Sequence, residues 1–145
     1  QSDTAIAHCP TSNKRLGSGR MPLEKVREYK IPFALVTDIG AGPSLSMLDP
    51  MRTFLEVHKR HAPVEPREAL YRATLAGAEI LGLRGIAGNL NPGNEANFVM
   101  LKNPGTAIPE DSPDKFISAI LAGTRSDFEQ MVKRTFIKGR LAAGG

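Results

Sequence analysis

The chain has 145 residues, 23% of them charged and 41% hydrophobic, with a net charge of +4. That is long enough to bury a core as one domain or parts of two, and the composition is that of an ordinary soluble globular protein. No stretch approaches the ~18–20 apolar residues of a membrane-spanning helix, and a lone cysteine, Cys9, excludes an internal disulfide framework. A reducing, cytoplasmic setting fits that cysteine usage. The basic residues are scattered in pairs such as Lys14/Arg15, Lys59/Arg60 and Lys133/Arg134, without interleaved aromatics, so nucleic acid is not an expected partner. The opening Gln1-Ser2-Asp3 has neither an initiator Met nor a leader pattern, and reads as the interior of a longer protein.

Thr4 to Ala7 is a short apolar run, expected as a buried strand that ends at His8-Cys9-Pro10, because proline cannot continue a ladder. Thr11 to Gly19, rich in Ser, Asn and Gly, is expected to be loop. A helix is expected from Pro22, with Leu23 and Val26 inward, until Ile31-Pro32 breaks it. Phe33 to Thr37 is a continuous apolar run, the mark of a parallel strand covered on both sides, and it ends at Asp38. Strand, helix, strand makes a right-handed βαβ unit. After the Ile39 to Pro43 loop, a helix from about Leu45 places Met47, Met51, Leu55 and His58 at near-helical spacing. A further helix is expected from Pro66 to Leu83.

Beyond Gly85 the composition changes. Gly88 to Gly93 is turn-rich, Phe98 to Leu101 is a strand, and residues 104–113 form a polar, proline-containing loop. Lys115 to Gly123 is a helix candidate, and residues 129–134 lead into Thr135-Phe136-Ile137, a turn at Lys138-Gly139 and Arg140-Leu141. Residues 1–84 thus read as α/β, and residues 85–145 as loosely organised short strands.

Two residues share a property that suits chemistry. His8 and Asp38 each end a candidate parallel strand and precede a Ser- or Gly-rich loop, the edge where α/β barrels place their active sites. An Asp there can ligate a divalent metal or take a proton from metal-bound water. Its plainer role is to close a turn or cap a helix. A lone His at a strand end is equally often a satisfied core residue. Gly40 and Gly42 lack the Gly-Lys-Ser/Thr that would make the loop a phosphate cradle. Ser44 and Ser46 lack a nucleophile elbow and suit helix capping. His58 and His61 are one turn apart, but Lys59 and Arg60 between them point to a solvated helix end. Cys9 reads as a small buried apolar residue.

The motifs themselves carry a resemblance. His8 to Gly19 (HCPTSNKRLGSG) and Val36 to Leu48 (VTDIGAGPSLSML) resemble the guanine deaminase branch of the amidohydrolase superfamily. Ala69 to Leu83 (ALYRATLAGAEILGL) looks like the helix that follows in these enzymes, and Gly88 to Leu101 (GNLNPGNEANFVML) like their return to a small β domain. The likeness covers most of the chain in order, and residues 104–134 match less distinctly. Asn97 departs from the Asp usual in the family's Glu-Ala-Asp turn, with an effect expected on local hydrogen bonding alone.

The resemblance implies an α/β fold: the C-terminal portion of a (β/α)8 TIM-type barrel in residues 1–84, and part of a small β-sandwich domain in residues 85–145. It implies a metal-activated water that converts guanine to xanthine and ammonia, with zinc as cofactor and iron or manganese as alternatives. Asp38 matches the metal-ligating aspartate that also accepts the water's proton. His8 matches a histidine that touches the water or substrate, and the loop from Gly40 through Ser44 would line the pocket mouth. It further implies a purine substrate and a homodimer for the complete protein, with no membrane partner. The family's other metal ligands, a His-x-His pair and a further His, and its Glu acid/base belong to segments N-terminal to this chain. Since a catalytic zinc normally has about three protein ligands, the chain alone is expected neither to hold zinc tightly nor to deaminate guanine. Other readings are a related chlorohydrolase or deaminase, and a non-catalytic half-barrel that self-associates through its open edges.

Overall fold

The computed structural model describes residues 4–103 and 112–144, and most of the loop expected over 104–113 lies outside them. Its first sheet is two parallel strands, β1 (Ile6–His8) and β2 (Phe33–Leu35), in the register Ile6–Phe33, Ala7–Ala34 and His8–Leu35. Between them run α1 (Pro10–Leu16) and α2 (Leu23–Glu28). The expected βαβ unit is present, with two short helices in its crossover.

Helix α1 occupies what composition marks as loop. Pro10 sits at its first turn, where a missing N–H costs nothing. Gly17 ends it at φ 68°, and the Ser18 N–H donates to the Asn13 carbonyl at 3.1 Å. These two punctuating residues outweigh the Ser and Asn between them.

After β2 come α3 (Leu48–His58), α4 (Pro66–Ala73) and α5 (Leu75–Ile80). The single helix expected over 66–83 is broken at Thr74 (φ −132°, ψ −92°), whose hydroxyl donates to the Leu70 carbonyl at 2.7 Å and competes with the backbone ladder. The core lies where one face of the sheet meets these helices. Phe33 and Leu35 pack there with Leu23 and Val26 of α2, Met51 and Phe54 of α3, and Ala69 of α4.

The second sheet is antiparallel, in the order β3 (Phe98–Leu101), β4 (Val132–Ile137) and β5 (Arg140–Ala143). Lys138 and Gly139 both take positive φ (50° and 74°), the two-residue hairpin geometry whose twist suits the flanking strands. Asn97 confines itself to this turn: its Oδ1 accepts from the Lys138 N–H at 2.8 Å, and its amide donates to Glu95 at 3.0 Å.

Between β3 and β4 run α6 (Pro113–Leu121), the helix expected near Lys115 to Gly123, and a further helix, α7 (Arg125–Met131). Thr124 and Asp127 form a reciprocal capping box at the start of α7. Both helices turn back onto α3, and α6 also onto α4, so Leu121 joins the core. The tie between α3 and α7 is ionic. Asp49, with no exposed surface, accepts from Arg52 at 2.8 Å and from Arg125 Nε at 2.9 Å. Arg52 also donates to the Gly123 carbonyl at 3.1 Å and lies over the Phe128 ring at 5.2 Å.

Replacing Asp49 by Ala leaves two guanidiniums without their shared acceptor. Urea unfolding should show a loss of about 2–4 kcal/mol, at or below the range for a broken buried pair because both arginines keep partial access to water. Arg125→Leu, which leaves the Asp49–Arg52 contact in place, should cost less than half as much. Equal losses would show that the two arginines do not share the load.

Candidate active site at the strand ends

The two residues singled out by position do not meet. Asp38 lies three residues past β2, exposed, with φ 55° in the left-handed region where few side chains other than Asn and Asp are found. Its backbone is tied into a knot. The Asp38 carbonyl accepts from the Ala41 N–H at 3.1 Å and the Gly42 N–H at 2.5 Å. A Cβ on Gly42 would sit 1.8 Å from the Thr37 carbonyl oxygen, so only glycine closes this turn. The strand below is anchored by the Val36 N–H, which donates to the His8 carbonyl at 3.0 Å. Gly40 follows with φ 103°. Ser44 is buried, and its hydroxyl accepts from the Ser46 N–H at 3.1 Å. Ser46 in turn accepts from the Leu48 N–H at 3.4 Å, so the two serines form turns ahead of α3 rather than cap it as expected; its N-cap is Met47, without a side-chain cap bond.

His8 lies in the core. It is 3% exposed, on the sheet face that carries Ile6, Phe33 and Leu35, and its imidazole meets the rings of Phe54 at 5.7 Å and His58 at 5.8 Å. Its Nε2 is buried without a hydrogen-bond partner among the described residues. Burial, and then the neighbouring His58, lower its pKa to about 4, so the ring is neutral at pH 7. A cavity of about 240 Å³, lined also by Asn13, Arg20 and Val57, borders it.

The Asp38 carboxylate acts on Cys9. Burial raises the thiol's pKa and the Asp38 carboxylate raises it further, against a hydrogen bond with Ser12. Cys9 is half-buried rather than buried as its type suggests, and it is held as a neutral thiol.

His58 is not the solvated helix end that its neighbours Lys59 and Arg60 indicate. It is fully buried, in line with Met51 and Phe54 on the core stripe of α3. Arg20 approaches its Nδ1 at 3.2 Å. A guanidinium can only donate, so Nδ1 is the acceptor and the proton sits on Nε2. Burial first, then Arg20, hold its pKa at about 4, with Glu24 opposing. The helical spacing with Met51 was the signal that placed it inward. His61 is exposed.

As for a metal, no group of three or more His, Cys, Asp or Glu among the described residues could hold one. Asp38 offers one carboxylate, and a divalent catalytic ion normally needs more protein ligands. The residues present do not fit a metal by themselves. No helix among the described residues is long and apolar enough to cross a membrane.

A parallel strand pair, its following helices and an aspartate knotted at the strand end are features of a hydrolase-type α/β architecture, and the comparisons agree. The chain belongs to the amidohydrolase family, whose model matches residues 1–142. It is 36% identical over 146 residues to the guanine deaminase of Escherichia coli (strain K12), covering 97% of this chain and 33% of that protein. It is 34% identical over 137 residues to the aminodeoxyfutalosine deaminase of a Nitratiruptor species, covering 92% of this chain and 31% of that one. Its fold matches the solved structure of E. coli guanine deaminase with a TM-score of 0.85 at 33% identity, over 99% of this chain and 35% of the other. The chain spans about a third of the length of these relatives.

The two buried histidines set a pH dependence. Each has a folded pKa of about 4 against an ordinary value of 6.5. Between those values the unfolded chain binds more protons, so stability rises with pH through the window. It should be fully present above pH ~6.5 and fall as the pH drops toward 4. Melting temperatures from pH 7.5 to 4.5 test this, and His58→Leu should flatten the decline. A profile unchanged by that substitution would remove His58 from the account.

Proposed function

We propose that this chain is the C-terminal portion of a guanine deaminase-type aminohydrolase, an enzyme that converts guanine and water to xanthine and ammonia. In this reading residues 1–84 close a (β/α)8 barrel and residues 85–145 contribute to a small β-sandwich domain. The observation that carries it is Asp38: an exposed carboxylate in a strained left-handed conformation at the C-terminal end of a parallel strand. Barrel enzymes keep their chemistry at that end, and strain of this kind persists where surrounding structure over-determines it for a function. The guanine deaminase relative supports the substrate.

Asp38 is the residue we assign to the metal, zinc in the first instance. Gly40 and Ser44 set the path of its loop, and His8 supports the strand end from the core side. The family resemblance puts the remaining ligands outside this chain, and among the described residues no group of three or more His, Cys, Asp or Glu could hold a metal. The isolated chain therefore binds zinc weakly and does not deaminate guanine. The match to an aminodeoxyfutalosine deaminase favours a second reading, a deaminase of another substrate that uses the same aspartate.

Ammonia release from guanine separates these outcomes, measured for the 145-residue chain with zinc and for a longer protein that contains it. Activity in the longer protein alone is expected. Asp38→Ala there should lower kcat by at least ~100-fold, since even groups supporting a metal ligand cost about 10–100-fold. Deamination by the isolated chain would overturn the assignment of missing ligands, and activity on other aminated substrates without guanine would select the second reading.

The strain at Asp38 has its own test. Asp38→Gly should leave the melting temperature of the isolated chain unchanged or raise it, by up to ~1 kcal/mol in stability, because glycine adopts positive φ freely. Asp38→Val should lower it. A clear loss in Asp38→Gly would mean that the side chain, and not the function, holds this conformation.

A further inference from the structure

A cavity of about 650 Å³ opens behind the Asp38 loop, between α1, α3 and the start of α7. Four cationic side chains line it, Lys14, Arg15, Arg52 and Arg125, against one carboxylate, Glu56. Lys14 is matched by Glu56 at 2.7 Å. Arg52 and Arg125 share the buried Asp49, at 2.8 and 2.9 Å. Arg15 reaches the Ala41 carbonyl at a long 3.5 Å. Four cations against the two carboxylates of Glu56 and Asp49 leave two positive charges around one cavity.

The guanidiniums of Arg52 and Arg125 are fixed rather than free: Asp49 holds both from behind, so their remaining donors are presented without loss of side-chain freedom.

We propose that this cavity binds an oxyanion of the phosphate class, with Arg15, Arg52 and Arg125 as its cationic wall. The excess of two charges matches a dianion at neutral pH, and a tetrahedral group offers acceptors to donors converging from three elements. Charge-assisted contacts between guanidinium and phosphate are the strong ones. This site stands apart from the deaminase reading and does not depend on it.

Isothermal titration and thermal unfolding of this chain with inorganic phosphate, at constant ionic strength against chloride, test the proposal. Saturable binding and a rise in melting temperature are expected. Arg15→Gln, at an exposed position, should leave the melting temperature in chloride unchanged and weaken phosphate about tenfold, the worth of one hydrogen bond to a charged group. Phenyl phosphate identifies the source: tighter binding than inorganic phosphate assigns a phosphate monoester, and equal binding assigns the free anion. Phosphate no better than chloride, or Arg15→Gln binding like the parent chain, overturns the site.

Discussion

Asp49 is a full charge with no exposed surface, and the docking of α7 onto α3 follows from how that charge is met. Taking a carboxylate out of water is unfavourable by several kcal/mol unless its lone pairs are satisfied. Here both oxygens are, by guanidiniums 3 and 76 positions along the chain. The nearer one comes from the same helix. The distant one draws α7 onto α3, and Arg52's second contact, to Gly123, fixes the turn that precedes α7. With α7 docked, Phe128 is buried under Arg52, and α6 brings Leu121 into the core. Helices α6 and α7 therefore pack against α3, and α6 also against α4. An apolar cavity of about 840 Å³, lined by Leu48, Met51, Phe98, Phe128 and Phe136, lies between α3 and the second sheet.

The opposite face of the same helix deals with burial differently. His8 and His58 are polar groups placed among Phe33 and Phe54, and they stay neutral there. Arg20 caps His58 while its other contacts fall on Glu24, at 2.7 Å, which takes up the guanidinium's charge at the surface. So α3 carries an ion pair on one side and uncharged imidazoles on the other. Each solution suits its surroundings: the pair lies within reach of water through its arginines, whereas the histidines are enclosed by aromatic rings.

Much of this was legible in the sequence, and what was not has a physical pattern. The two parallel strands, the hairpin at Lys138-Gly139 and Asp38 at a strand end follow from short-range signals: apolar runs, a proline stop, a turn dipeptide. Helix α1 was hidden because Ser and Asn usually mark loops, although Pro10 and Gly17 bracket it as a helix should be bracketed. The break at Thr74 turns on a single hydroxyl competing for a carbonyl, which a pattern of apolar residues does not register. The capping box at Thr124 and Asp127 was readable, but it lies in a segment without strong periodicity. Asp49 was invisible. An aspartate in the first turn of a helix suits the dipole and looks solvated, and nothing local points to Arg125. The facing of His8 was likewise undecided, because a three-residue strand offers too few alternations to assign its sides.

That facing bears on what a candidate site can be in a chain of this extent. Adjacent strand ends bring the His8 and Asp38 segments together in the backbone, where the Val36 N–H donates to the His8 carbonyl. The His8 imidazole lies against Phe54 and His58, and the Asp38 carboxylate acts on the Cys9 thiol. What the chain does build unaided is the conformation of Asp38. The Ala41 and Gly42 amides, the absence of a side chain at Gly42 and the anchored strand below fix that backbone with no contribution from anything outside the chain. On the proposed reading, the energetic cost of placing this carboxylate is met during folding of the chain itself. The rest of the site then needs only to meet a group already in position.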